Sequence, residues 1–175
     1  MADRSLTGVL LVGGASRRFG SAKALAELDG ETLADRAWRL LDDACDERFA
    51  VGRGIGLPFP TLPDAVFGGG PLAGIVAGLR TATNDVAIVV PVDMPLLTVA
   101  ALHEVADACR DAAVPQSGPL PGAYAKRALP ALEAALERGD LALRHVLEGL
   151  DVTTIQLDAA LLANVNEPRD LERLL

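Results

Sequence analysis

The sequence predicts an α/β fold in three layers, α/β/α, around a mainly parallel sheet. Two observations carry that reading. Short apolar runs alternate with helical patterns along the whole chain, the layout of strands joined by crossover helices. The run VAIVV (Val86 to Val90) is continuous and rich in β-branched residues, as a strand covered on both faces must be. Composition agrees: half of the 175 residues are hydrophobic but only 3% are aromatic, so the core is built from Ala, Leu and Val. This length suits one domain, residues 1–175.

In chain order, GVLLV (Gly8 to Val12) is a buried strand that stops at Gly13 and Gly14. After a loop ending at Lys23, Asp29-Gly30 signals a turn. A helix starts at Thr32, which with Asp35 has the spacing of a capping box, and Leu33, Ala37, Leu40, Leu41 and Ala44 share its apolar face. A second strand lies near Arg48 to Val51. The Gly/Pro-rich segment that follows is too long for a plain linker, and loops of that kind carry function. It ends where Gly68 to Gly70 and Pro71 open a helix. The VAIVV strand breaks at Pro91 to Pro95. Beyond it come a helix from about Val99 to Arg110, a short strand AAVP, and an extended segment with Tyr124. Two helices broken at Gly139-Asp140, a late strand VTTIQL, and a last helix begun by Asn166 to Pro168 complete the chain.

The formal charge of −8 argues against nucleic acid as a partner and disfavours an anionic membrane surface, while an anionic small substrate needs only a local island of positive charge or a metal ion. No apolar run is long enough to span a bilayer, and no signal peptide is visible, so the expected location is the cytoplasm. Cys45 and Cys109 lie far apart with no CxxC or Cys/His cluster; they read as buried free thiols. His103 and His145 have no second ligand at metal spacing, and Trp38 reads as core or interface.

The chemistry concentrates at two strand ends, where ligands bind in open α/β sheets. In LLVGGASRRFGSAK, Gly13 and Gly14 let backbone N–H groups approach a phosphate, and Arg17, Arg18 and Lys23 add positive charge. Of the 16 basic residues only Lys23 and Lys126 are lysines, and one of them falls in this loop. The loop matches neither GxxxxGK[ST] nor GxGxxG. At the second end, in PVDMP, Asp93 alone reads most simply as a turn or helix-capping residue. Paired with a phosphate loop on the same sheet edge, it is a hard carboxylate of the kind that holds Mg²⁺ together with substrate phosphates. Asp64 is a loop carboxylate able to cap or to ligate. Asn164 and Asn166 read either as caps of the last helix or as a pair with both amides turned into a cleft.

LLVGGASRRFGSAK resembles the signature LAGGxSxRMGxxK of the molybdenum cofactor guanylyltransferases. The resemblance continues through GGGPLAGI, PVDMPLL, VPQSGPLPGAYAKRALPALEAALERGD and NVNEPRDL, over nearly the whole chain. It implies a Rossmann-like nucleotidyltransferase fold that moves GMP from GTP to the phosphate of molybdopterin and releases pyrophosphate, with Mg²⁺ as cofactor. It implies that Leu11, Val12 and Gly13 line the guanine and ribose pocket, with Gly14 beside them in the nucleotide loop. Arg17 and Lys23 would face the phosphates, Asp93 would hold Mg²⁺, Asp64 would contact the nucleotide, and Asn164 and Asn166 would form an Asn pair near the active site. Transient contact with cofactor-assembly proteins or molybdoenzymes goes with that role. Two departures stand out: Phe19 replaces the usual Met, and the loop after the second strand reads AVGRG where the family carries a nucleotide-contacting Asn. Related readings are a cytidylyltransferase acting on the same pterin, another small-molecule nucleotidyltransferase of the same fold, and a non-catalytic nucleotide-binding protein in cofactor assembly.

Overall fold

The computed structural model describes residues 5–13, 23–53, 56–66 and 68–174. Alternation of side chains along the central strands decides the layering. β1 (Leu6–Leu11) and β6 (Val86–Pro91) pair in parallel, with Leu10 opposite Val90. Leu6 and Leu10 of β1, with Val86, Ile88 and Val90 of β6, face one side. Val9 and Leu11, with Ala87 and Val89, face the other. Because both faces are covered, both strands are apolar throughout, as the continuous VAIVV run requires. The exception is Thr7, buried in β1, whose hydroxyl donates to Glu47 Oε2 (2.6 Å) and accepts from Asn84 Nδ2 (3.1 Å).

The remaining described elements are the short hairpin β2 (Glu27–Leu28) and β3 (Glu31–Thr32), α1 (Leu33–Ala44), β4 (Glu47–Val51), β5 (Thr61–Leu62) and α2 (Gly70–Thr81). They continue with α3 (Val99–Asp107), β7 (Ala112–Pro115), β8 (Gly122–Ala125), α4 (Leu129–Glu137), α5 (Leu143–Glu148), β9 (Val152–Ile155) and α6 (Pro168–Glu172). Helices α1 and α3 cover the first face through Leu33, Leu41, Leu102 and Val105. Helices α2, α4 and α5 cover the second through Leu72, Ile75, Leu132 and Val146. Burial of such side chains supplies about 1.5–3 kcal/mol each before entropy is counted.

The main sheet runs β5-β4-β1-β6-β8-β7-β9, parallel except for β8, which is antiparallel to both neighbours. The three-layer, mainly parallel expectation holds. After β1 the chain moves outward through β4 and β5, then returns to place β6 on β1's other side. The order reverses between β1 and β6, and their carboxyl ends form the crevice where such sheets take ligands.

Local chemistry explains several boundaries. Asp29 (φ 55°) and Gly30 (φ 77°) form the tight turn of the β2–β3 hairpin. Thr32 caps α1 by accepting from Asp35 N (3.0 Å), but its hydroxyl also donates to the Asp35 carboxylate (2.7 Å), which differs from the reciprocal backbone bond of a full capping box. Trp38 is half-buried, stacked on Phe59 at 4.2 Å between centroids, with Arg48 over the ring at 4.8 Å. Helix α3 ends at Asp107, short of Arg110, and β9 ends at Ile155, short of Leu157. Neither Cys45 nor Cys109 is in a disulfide; burial, helped by Asp46, pushes the Cys45 thiol up to about 12, so it is inert at neutral pH. Among the described residues no helix is long and apolar enough to cross a membrane.

Candidate functional site

The carboxyl ends of β1 and β6 are tied together before any side chain is considered. Val92 N donates to Leu11 O (3.2 Å), and Val12 N donates to Val51 O (3.0 Å). Gly13 therefore emerges between β4 and β6, exposed, with its backbone placed by both neighbours. The side chain of Leu11 is buried under α2, and its carbonyl is occupied by Val92. Along the Leu11–Gly13 stretch exposure rises from the buried Leu11 through the half-buried Val12 to the exposed Gly13.

Lys23 opens a 3-10 turn over Lys23–Leu25, and its Nζ lies 3.1 Å from Asp93 Oδ2. The same ammonium donates to Asn166 Oδ1 at 3.4 Å. Both partners of the ion pair are mostly buried, with side chains 15% and 24% exposed. A third link fixes the carboxylate's own main chain: Val165 N donates to Asp93 O at 2.8 Å. Residues 23, 93 and 166, far apart in sequence, thus meet at one point at the end of β6. The cap reading for Asn166 does not hold. The cap of α6 is Glu167, whose side chain accepts from Asp170 N while Asp170 accepts from the Asn166 and Glu167 amides. The Asn166 side chain turns to Lys23. Asn164 is exposed, next in the chain to the fully buried Val165.

Asp64 sits on the opposite flank. Its Oδ2 and Oδ1 lie 3.6 Å from where side chains on Gly13 and Gly74 would begin, so the half-buried carboxylate stands between the end of β1 and helix α2. Burial holds its carboxyl above the usual carboxylate range, while the Arg53 guanidinium pulls the other way. Gly14, Arg17 and Arg18, named from the glycine loop, lie outside the described residues.

The AVGRG loop, where the sequence offered no contact, has a specific job. Gly52 takes φ +121°, and a Cβ there would stand 2.5 Å from Gly13 N and 2.8 Å from Gly13 Cα. Only glycine lets the β4 end pass this close to the β1 end. The need for it arises between two strands, so no local pattern announces it. Gln116 is the other residue the sequence did not single out. Its side chain accepts from Leu157 N (3.0 Å) and donates to Leu157 O (2.7 Å), anchoring the start of the segment that leads to Asn164 and Asn166.

A strand-order reversal, a glycine pair at one strand end and a lysine–carboxylate pair at the next define the class: an α/β nucleotidyltransferase. The chain belongs to the MobA-like NTP transferase domain family, whose model matches residues 8–156. It is 31% identical to the molybdenum cofactor guanylyltransferase of Desulfosudis oleivorans, over 97% of this chain and 94% of that one. It is 33% identical to the molybdenum cofactor guanylyltransferase of Xanthomonas euvesicatoria, over 99% and 96%. A solved structure, molybdopterin-guanine dinucleotide biosynthesis protein A from Archaeoglobus fulgidus, superposes with a TM-score of 0.82 at 26% identity and covers 95% of each chain.

Proposed function

We propose that this nucleotidyltransferase moves GMP from GTP to the terminal phosphate of molybdopterin, as a single domain acting in the cytoplasm. The observation that carries the reading is the meeting of Lys23, Asp93 and Asn166 at the β1–β6 crevice of a chain belonging to this family. A molybdopterin phosphate oxygen forms a bond to the α-phosphorus of GTP as the bond from that phosphorus to the bridging oxygen breaks, and pyrophosphate leaves with the electron pair. The attacking oxygen is already anionic, so no strong general base is required. The work of the protein is alignment of two polyanions and neutralisation of the charge that accumulates between them.

In this reading Lys23 leaves Asp93 for the triphosphate, and Asn166 retains a grip on the ammonium during the exchange. Arg17 adds charge from the glycine loop. The backbone N–H groups of Gly13 and Gly14 would donate to phosphate oxygens. Asp64, half-buried beside Gly13, offers acceptor oxygens to a nucleoside; guanine, with two adjacent N–H donors on its pairing edge, suits a carboxylate better than cytosine does. Asn166, already at Lys23, would meet the acceptor, and the exposed Asn164 would join it there as the second member of the Asn pair.

Asp93 suits Mg²⁺: it is one hard carboxylate, 24% exposed, at a strand end. Among the described residues there is no cluster of three or more His, Cys, Asp or Glu. A metal on Asp93 would therefore complete its shell from phosphates and water, which is how Mg²⁺ binds nucleotides. When bound it would supply charge neutralisation on the phosphate oxygens.

The test is the melting temperature with GTP, CTP, ATP or UTP, each with and without Mg²⁺, followed by pyrophosphate release with molybdopterin. A ligand at 100 times its dissociation constant adds about 2.7 kcal/mol of stability. A shift with GTP alone, enlarged by Mg²⁺, and pyrophosphate release that requires molybdopterin are expected. A shift with CTP alone would overturn the choice of base, and GTP binding without turnover would make the chain a binding protein.

A further inference from the structure

The last helix is tied to the segment before it by a reciprocal capping box, in which the Glu167 side chain accepts from Asp170 N and Asp170 reaches back toward the reactive point. Asp170, in α6, accepts from Asn166 N (2.8 Å) and Glu167 N (2.9 Å) on the same oxygen, Oδ2. Its other oxygen faces Arg173 Nη1 at 3.7 Å. The peptide it grips lies between the two contacts that matter upstream. On one side Val165 N holds Asp93 O, and on the other Asn166 Oδ1 accepts from Lys23 Nζ. Helix α6 has five residues, too few to hold its shape alone; Pro168 in its first turn and the packing of Leu171 and Leu174 against the core set its position. With the helix docked, Asp170 is the group that transmits its position to Asn166. The two backbone N–H bonds also hold the Asp170 carboxyl below the usual carboxylate range, so it is a full anion at neutral pH.

We propose that Asp170 is a positioning residue of the active site: by clamping the Asn166 and Glu167 amides it holds the Asn166 side chain on Lys23 and the Val165 amide on Asp93. Asp170 touches neither substrate nor metal, so it acts only through the residues it aims. The inference rests on the guanylyltransferase reading above. An ordinary helix cap makes a different prediction, since its loss lowers the melting temperature but leaves the turnover of the folded protein alone.

A double-mutant cycle on the full chain separates the two, with kcat and KM for GTP measured well below the melting temperature of every variant. Asp170→Ala is expected to lower kcat/KM roughly tenfold, the scale of an outer-shell contact that orients a ligand-holding group. Asn166→Ala should give a similar loss, and the double variant should be no worse than Asn166→Ala alone, because coupled residues do not add. Asp170→Asn keeps an acceptor oxygen for both N–H groups and should restore at least half of the activity; it also serves if Asp170→Ala fails to fold. The positioning role is overturned by any of three results. These are full turnover in folded Asp170→Ala, losses that multiply in the double variant, and Asp170→Asn as damaged as Asp170→Ala. An inactive wild-type chain would fault the guanylyltransferase reading itself, whereas an active wild type with multiplying losses would fault the positioning role alone.

Discussion

The two flanks of the β1–β6 crevice are made of opposite materials. On the flank toward β4, β5 and α2, space is created by leaving side chains out: Gly52 passes within 2.8 Å of Gly13 Cα, measured from where its Cβ would be, and Gly74 gives room to Leu11 and Asp64. On the flank toward the carboxy-terminal segment, the site is made by adding side chains: Lys23, Asp93 and Asn166 converge, held by Val165 and Asp170. The first flank is a matter of shape and backbone, and errors there should act on binding. The second is a matter of charge, and errors there should act on the chemical step.

Substitutions can break that contrast. The largest effect is expected for Asp93→Ala: turnover should fall by about 10³-fold, since removal of the carboxylate takes away both the metal's foothold and the counter-ion of Lys23. Activity retained at saturating Mg²⁺ would remove Asp93 from the chemistry. Lys23→Ala comes next, at about 2–4 kcal/mol of lost transition-state stabilisation, seen in kcat more than in KM. An unchanged kcat would reduce Lys23 to a structural ion pair. On the glycine flank, Gly52→Ala forces a side chain onto backbone at a positive φ. It should cost about 1–3 kcal/mol in urea unfolding and raise the KM for GTP with kcat little changed. A fall in kcat alone would erase the distinction between the flanks.

The smallest effect sharpens the comparison from outside the site. Glu47 lies at the far end of β1. Burial pushes its carboxyl up, but bonds from Thr7 and Thr83 outweigh this and leave it below its ordinary value of 4.5. A carboxyl lowered on folding stabilises the fold above its unfolded value, and that contribution disappears as the pH falls through the lowered folded value. Glu47→Gln should therefore flatten the loss of stability below pH 4.5 while leaving KM and kcat at neutral pH untouched. An altered kcat would mean that the opposite end of β1 communicates with the site.

What could be read from the sequence follows the same division. The place of Asp93 at a strand end was legible from the β-branched run before it, and Lys23 drew notice as a lysine in an Arg-dominated composition. Each signal alone fits an ordinary turn residue, and only their meeting on one sheet edge singles them out. The three-layer order was legible from alternation alone. The grip of Asn166 on Lys23 was not, since it spans 143 positions and neither residue's neighbours specify the other. Gly52 was missed for a related reason: its necessity comes from Gly13, on a neighbouring strand. The direction of β8 was likewise hidden. GAYA reads the same in either orientation, and only its pairing with Val86–Val89 shows that it runs against the sheet. Asp170 left a faint trace, an acidic residue three positions after Glu167, the spacing of a helix cap.

The union of residues 23, 93 and 166 also has a temporal side. A chain leaving the ribosome can form β1, α1, β4 and β6 while residue 166 is still unsynthesised, and contacts of such long range are the last to be rewarded in folding. The segment from 157 to 170 is moored by few buried side chains, Leu157, Leu162 and Val165. It can detach at less cost than the sheet can melt. Such a detachment would take the Asn166 oxygen from Lys23 and the Val165 amide from Asp93, leaving the ion pair without its supports while the sheet stays intact. On mild heating, activity is therefore expected to fall before the sheet itself melts.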